Sequence, residues 1–262
     1  MTTDTEQSVD ADAESGGETF IGHLLELRSR LFRALLGVLL VFVVLMPFAR
    51  QLYRWLADPL MAHLPEGSSM IATEVASPFL TPFKLAFVAA FFVAAPWVLY
   101  QAWAFVAPGL YDRERKLATP MVIASTLLFY AGGLFAYFVV FPLVFGFLAT
   151  ATPEGVTMMT DIRQYLDFVL VLLMAFGIAF QVPIATILLI RLDVVERADL
   201  AAKRPYVIVG VFVIGMLLTP PDMISQTLLA IPMWLLFEVG LLVARFMEPA
   251  PDESAGKDEH ET

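Results

Sequence analysis

Two glutamates set among arginines are the groups in this sequence best placed for specific chemistry. They are Glu26 in "HLLELRSRL" (23–31) and Glu114 in "LYDRERKL" (110–117). A carboxylate can take a guanidinium through two parallel N–H···O bonds, so two such acids on one membrane face could receive a pair of arginines. A plainer account also exists for Glu26. Glu26 and Arg30 are four residues apart in the favoured order, a helical pair worth about 0.2–0.5 kcal/mol. Basic residues at a membrane entrance are explained by topology, whereas acids contribute little to it.

Other chemistries lack residues. There is no cysteine, which excludes disulfides, thiolate catalysis and Cys-based metal sites. The three histidines, His23, His63 and His260, fall outside the apolar runs, and no HExxH, GxSxG or Walker A pattern is present. No enzyme activity, cofactor, metal site or nucleic-acid partner is expected.

The elements that must position Glu26 and Glu114 are membrane helices. The chain has 262 residues, 59% of them hydrophobic and 16% charged, with a mean hydropathy of +0.76. That is too apolar for an ordinary soluble domain. Uncharged runs occur at 34–49, 85–111, 117–153, 168–190, 205–221 and 223–237. A spanning helix needs about 17–25 largely apolar residues. The expected fold is therefore an all-α membrane protein of six kinked transmembrane helices, with short fifth and sixth spans squeezed between Pro205 and Arg245. Residues 20–246 form the membrane domain. Residues 1–19 and 247–262 are acidic and poor in aromatics, and they read as disordered tails that account for the whole of the net charge of −10, the membrane core being near neutral. The N-terminal tail lacks the basic segment of a cleaved signal peptide, so the first apolar run is expected to remain as an anchor.

With the N-terminus inside, twelve basic residues fall on the cytoplasmic side and four on the other. That asymmetry places both termini in the cytoplasm. Prolines at 47, 96, 120, 142, 183 and 232 lie in or beside the runs and are expected to kink helices. No internal repeat supports the inverted halves of many carriers. Gln181 in "FGIAFQVPIA" is the polar residue nearest mid-membrane, and Glu238 in "LLFEVG" lies toward the cytoplasmic end of the last span. Gln181 is open to an interhelical hydrogen bond or a functional role, and Glu238 to pairing with Arg245 or another interfacial donor, the favoured reading, or to a functional charge.

Several longer stretches in order resemble TatC, the multispanning receptor subunit of the twin-arginine translocase. They are "HLLELRSRL", "IATEVASPFLTPFKLAF", "YQAWAFVAPGLYDRERK", "LLFYAGGLFAYFVVFPL" and "KRPYVIVGVFVIGMLLTPPDMISQTLLAIPMWLLFE". The resemblance covers about Phe20 to Phe246. It implies a multi-pass protein of the bacterial cytoplasmic (inner) membrane that binds twin-arginine signal peptides of folded cargo. It further implies assembly, in several copies, with the single-span subunits TatB and TatA, and transport driven by the proton motive force. The matching signal-peptide positions are Glu26, Arg28, Phe105, Glu114 and Arg115, and the matching partner positions are Met216, Thr219 and Gln226. Lys116 stands where many relatives carry arginine, and Gln181 where some carry glutamate. The competing reading is a small-molecule carrier or channel, which would need a polar, substrate-sized site at mid-membrane.

Overall fold

The computed structural model describes residues 3–61, 71–106, 118–150, 161–192, 194–219 and 223–247, with side chains described from Ile21. Ten α-helices carry these segments. They are α1 (Thr3–Leu45), α2 (Ala49–Met61), α3 (Ser77–Val106), α4 (Ala118–Phe135), α5 (Phe141–Thr150), α6 (Ile162–Ala179), α7 (Val182–Arg191), α8 (Arg197–Ala202), α9 (Arg204–Leu218) and α10 (Met223–Met247). Among the described residues the β-type pairing is one isolated bridge between Ile71 and Asp161. Helices dominate because a chain this apolar must satisfy its backbone polar groups within each segment.

Among the described residues, five stretches are long and apolar enough to cross a membrane: Ile21–Arg54, Ser77–Val106, Thr119–Phe147, Ile162–Arg191 and Met223–Phe246. Arg204–Leu218 is a shorter apolar helix between the last two. Six apolar segments therefore match the six runs of the sequence. The shortness falls on the fifth, α9, at 15 residues. The sixth, α10, runs 25 residues and is not short, because its helix continues past Glu238 to Met247.

Prolines mark most of the irregular points. A 3-10 turn at Met46–Phe48 contains Pro47. A π-turn at Ala136–Val140 ends two residues before Pro142, and the span that ends at Arg191 breaks at Phe180–Gln181, two residues before Pro183. Each proline lacks an N–H and crowds the carbonyl four residues earlier, so the ladder is interrupted there. Pro82, Pro96 and Pro232 stay within continuous α3 and α10.

The chain divides into two compact units, Met1–Gly177 and Ile178–Thr262. In the first, α3 packs on α1, α2 and α4. Buried Leu85, Leu166 and Leu170 gather Leu52, Tyr53, Leu56, Val88 and Leu173 about them. Aromatic pairs carry α6 onto the third span, with Phe135 against Phe176 and Phe145 against Tyr165 and Phe168. In the second unit α10 packs on α7, α8 and α9. Gly240 makes the α7 contact close: a Cβ there would lie 2.9 Å from Pro183 Cα and 3.1 Å from Thr186 Cβ.

Candidate functional site

In the first unit, one face of α1 meets the end of α3. His23, Glu26 and Arg30 follow at spacings of three and four, so they share that face. His23 stacks on Phe105 with ring centroids 4.3 Å apart and planes 26° from parallel. Arg30 reaches Glu26 through Nε (2.9 Å) and Nη2 (2.6 Å), and both donors land on the same carboxylate oxygen, Oε1. Oε2 accepts no hydrogen bond among the described residues, and the Glu26 side chain is 34% exposed. The sequence-predicted positions Glu26 and Phe105 are thus brought together by way of His23, which the sequence reading had not singled out. Arg28 is not on this face. Two residues along a helix turn it by about 200°, and Arg28 is exposed with no ion pair among the described residues. Glu114 and Arg115 lie outside the described residues.

The same contact is braced farther along α1. Trp97 Nε1 donates to the Arg33 carbonyl at 3.0 Å. A Cβ at Gly37 would sit 2.4 Å from Trp97 Cδ1, so glycine there lets the indole lie against the helix backbone. Trp103 Nε1 donates to Ser125 Oγ at 2.8 Å and ties the end of α3 to α4.

At the opposite end of this unit is a polar latch that the sequence reading missed. Asp161, 8% exposed, opens α6. Its Oδ1 accepts from the backbone N–H of Arg163 (2.8 Å) and Gln164 (3.1 Å), the N-capping pattern. Its Oδ2 accepts from Thr73 N–H (2.9 Å) and Thr73 Oγ1 (2.5 Å). The Thr73 hydroxyl, the Thr73 and Gln164 amides and the Arg163 amide all favour the ionised form, and hold the Asp161 carboxyl down to about 2 against a smaller opposing effect of burial. Arg163 Nη1 pairs with Glu74, and Lys84 Nζ with Asp167 at 2.6 Å. The first two links join the segment leading into α3 to the start of α6, and the third joins α3 itself to α6.

In the second unit, Gln181 occupies the helix break. Its N–H donates to Ile178 O, and its carbonyl accepts from Ala185 N, both at 2.9 Å. Glu238 takes its partner from α9: Arg204 Nε donates to Oε1 at 2.7 Å and Nη2 to Oε2 at 3.0 Å, a fork-to-fork pair. Thr219 is 6% exposed, and its Oγ1 donates back to Gly215 O at 3.0 Å. Gln226 Nε2 donates to Phe212 O at 2.7 Å and so ties α10 to α9. Met216 is 50% exposed. Of the three partner positions expected from the sequence, it is the one whose side chain is turned outward.

Five helical stretches long and apolar enough to cross a membrane, with a sixth shorter apolar helix among the described residues, define a multi-pass helical membrane protein. The model of the Sec-independent protein translocase protein family, TatC, matches residues 22–232. A TatC protein of Azotobacter chroococcum is 62% identical over 84% of this chain and 87% of its own length. One of Escherichia coli strain K12 is 55% identical over 87% and 89%. A crystal structure of the twin-arginine translocase receptor TatC superposes with a TM-score of 0.78 at 36% identity, covering 86% of this chain and 98% of that one. The chain belongs to the TatC family. It is a multi-pass inner-membrane subunit of a protein translocase and not an enzyme.

Proposed function

We propose that this chain is the receptor and core subunit of a twin-arginine translocase, with Glu26 and Glu114 accepting the two arginines of a signal peptide at the cytoplasmic face. The observation that carries the reading is the geometry of Glu26. Its one engaged oxygen orients the carboxylate, and the other is left for an incoming guanidinium, beside the aromatic His23–Phe105 stack. The stack offers an apolar surface for the hydrophobic part of such a peptide, and Arg28 and Arg115 lie within two residues of the acids in sequence. The basic asymmetry supports cytoplasmic termini. A carrier would need polar groups converging at mid-span, and the sequence offers little there beyond Gln181. The test is titration of the purified protein with a twin-arginine peptide and with its twin-lysine counterpart. The arginine peptide is expected to bind about tenfold or more tightly, because lysine cannot form the fork. Equal affinities would remove the assignment.

TatB and TatA, as single-span partners, are proposed to dock on the α9–α10 hairpin through Met216. Thr219 and Gln226 support that surface from within, because Thr219 Oγ1 and Gln226 Nε2 already donate to Gly215 O and Phe212 O. Single cysteines at 216, 219 and 226, paired with cysteines along a partner's membrane helix, are expected to crosslink strongly at 216 and weakly at 219. Crosslinking at 216 no stronger than at lipid-facing positions of α3 would rule the surface out.

A further inference from the structure

One buried polar group beside the proposed receptor site has no partner. Gln101 of α3 is 4% exposed, and its Oε1 is closed off from solvent and accepts no hydrogen bond among the described residues. A buried acceptor left unpaired is costly, and such groups are few in a folded chain and need a cause. Two residues along the same helix, Trp103 shows the ordinary alternative, since its Nε1 is satisfied by Ser125 Oγ.

The register between α1 and α3 places this group. The two helices run antiparallel, with His23 against Phe105, the Arg33 carbonyl against Trp97, and Phe42 against Phe87. Those pairs set Gln101 at about the level of Arg28, between Glu26 and Arg30. Its direction follows from helix spacing. Trp97, Gln101 and Phe105 are four residues apart, a turn of about 40° at each step, so Gln101 lies between two residues that both touch α1. Trp103, about 200° away from it, faces α4. Helical side chains lean toward the N-terminus of their own helix. Gln101 therefore leans from Phe105 toward Trp97, which carries its amide to the level of Arg30.

Arg30 is held at one point only. Its Nε and Nη2 both donate to Glu26 Oε1, and Nη1 has no partner among the described residues. A signal-peptide guanidinium that forms a full fork with Glu26 needs both carboxylate oxygens, so it must displace Arg30 from Oε1. Without a second acceptor, that step leaves a largely buried cation unpaired beside an incoming positive charge.

We propose that Gln101 is a positioning residue for signal-peptide binding, whose Oε1 receives the Arg30 guanidinium when a peptide arginine takes Glu26. This rests on the receptor reading of Glu26 given above. Arg30 changes partner by swinging its own side chain, and the transfer draws it onto α3 and away from the incoming charge. An amide suits the task, because it accepts from Arg30 without the charge that would hold it permanently. A carboxylate at 101 would compete with Glu26 for Arg30 in the absence of peptide.

The test has a peptide-free arm and a peptide arm, both on the full purified chain. Gln101→Met keeps the length and flexibility of the side chain and removes the amide, and Gln101→Leu serves as a second apolar replacement. In the parent, where Gln101 Oε1 is unpaired, either change is expected to leave the melting temperature unchanged or to raise it. In Glu26→Ala, where Arg30 has lost its first partner, the same change is expected to lower it by about 2–4 °C. In titrations, Gln101→Met is expected to weaken binding of the twin-arginine peptide about three- to tenfold. That loss should vanish in Arg30→Gln, which removes the group to be received. The proposal is overturned if the melting shift is the same in both backgrounds, or if the peptide binds Gln101→Met as it binds the parent. It is equally overturned if the loss persists in Arg30→Gln, since Gln101 would then meet the peptide itself. A parent that fails to distinguish the twin-arginine from the twin-lysine peptide removes the receptor reading instead. The melting comparison, made without peptide, still decides in that case whether Gln101 holds Arg30.

Discussion

Asp161→Ala is expected to free the segment around Thr73 from the start of α6 and to speed hydrogen exchange at the Thr73 amide by roughly tenfold or more. One carboxylate does two jobs there. It caps α6 through Arg163 and Gln164, and it holds Thr73, 88 residues away in sequence, by two further bonds. Alanine leaves all of these donors to water. Asp161→Asn should fall between parent and alanine, since an amide oxygen still caps a helix but lacks the charge. The pH dependence has a definite sign. The carboxyl titrates at about 2 in the folded chain against an ordinary 3.8, so the folded state favours the charged form. The latch is at full strength above about pH 4 and is lost as pH falls toward 2. Exchange at Thr73 should therefore be flat from neutral pH down to about 4, once corrected for intrinsic chemistry, and should accelerate below that. Alanine should abolish the acceleration. If Thr73 exchanges at the parent rate in Asp161→Ala, the Glu74–Arg163 pair and the bond from Ile162 N–H to Ile71 O hold the segment by themselves.

Six spans could be read from apolar runs alone, because bilayer thickness fixes how many residues each must contain. The irregular turns at Pro47, Pro142 and Pro183 were likewise legible, since the missing N–H acts locally. The length of the last helix was not. An apolar run stops at Glu238, yet the helix does not, because Arg204 neutralises that charge with both carboxylate oxygens engaged. The partner in that pair is 34 residues away, beyond what periodicity can report. The same limit divides the site. Glu26–Arg30 is an i, i+4 pair and was visible in the sequence. The His23–Phe105 stack joins two helices and was not. Asp161 carried a local signal, an aspartate immediately before the helical "IRQYL", which the capping rules recognise. Its second grip, on Thr73, had none. Thr219 and Gln226 were singled out by resemblance, which marks a position without saying whether its side chain faces a partner or the next turn of its own hairpin.

Charge substitutions at Glu26, Arg30 and Glu114 should separate a receptor carboxylate from a structural ion pair. Loss of a charge-assisted bond of about 1.5–3 kcal/mol predicts that Glu114→Gln weakens binding of a twin-arginine peptide about ten- to a hundredfold. Glu26→Gln should weaken it less, by about three- to tenfold, because this carboxylate is partly exposed and already shares its charge with Arg30. Arg30→Gln gives the sharper contrast. If Glu26 serves mainly to anchor Arg30, removing either partner should have the same effect on the peptide. If Glu26 is a receptor group, Arg30 is its competitor and also repels the incoming arginines. Arg30→Gln should then tighten binding a few-fold, with both Glu26 oxygens open to the peptide. Because Oε2 is unengaged in the parent, the gain should be modest, and it should shrink as salt is raised and exposed charges are screened. Isothermal titration of the three variants with one peptide at two salt concentrations measures all of these. Weaker binding in Arg30→Gln, equal to that in Glu26→Gln, would make the pair a structural one and leave Glu114 as the acid that reads the peptide.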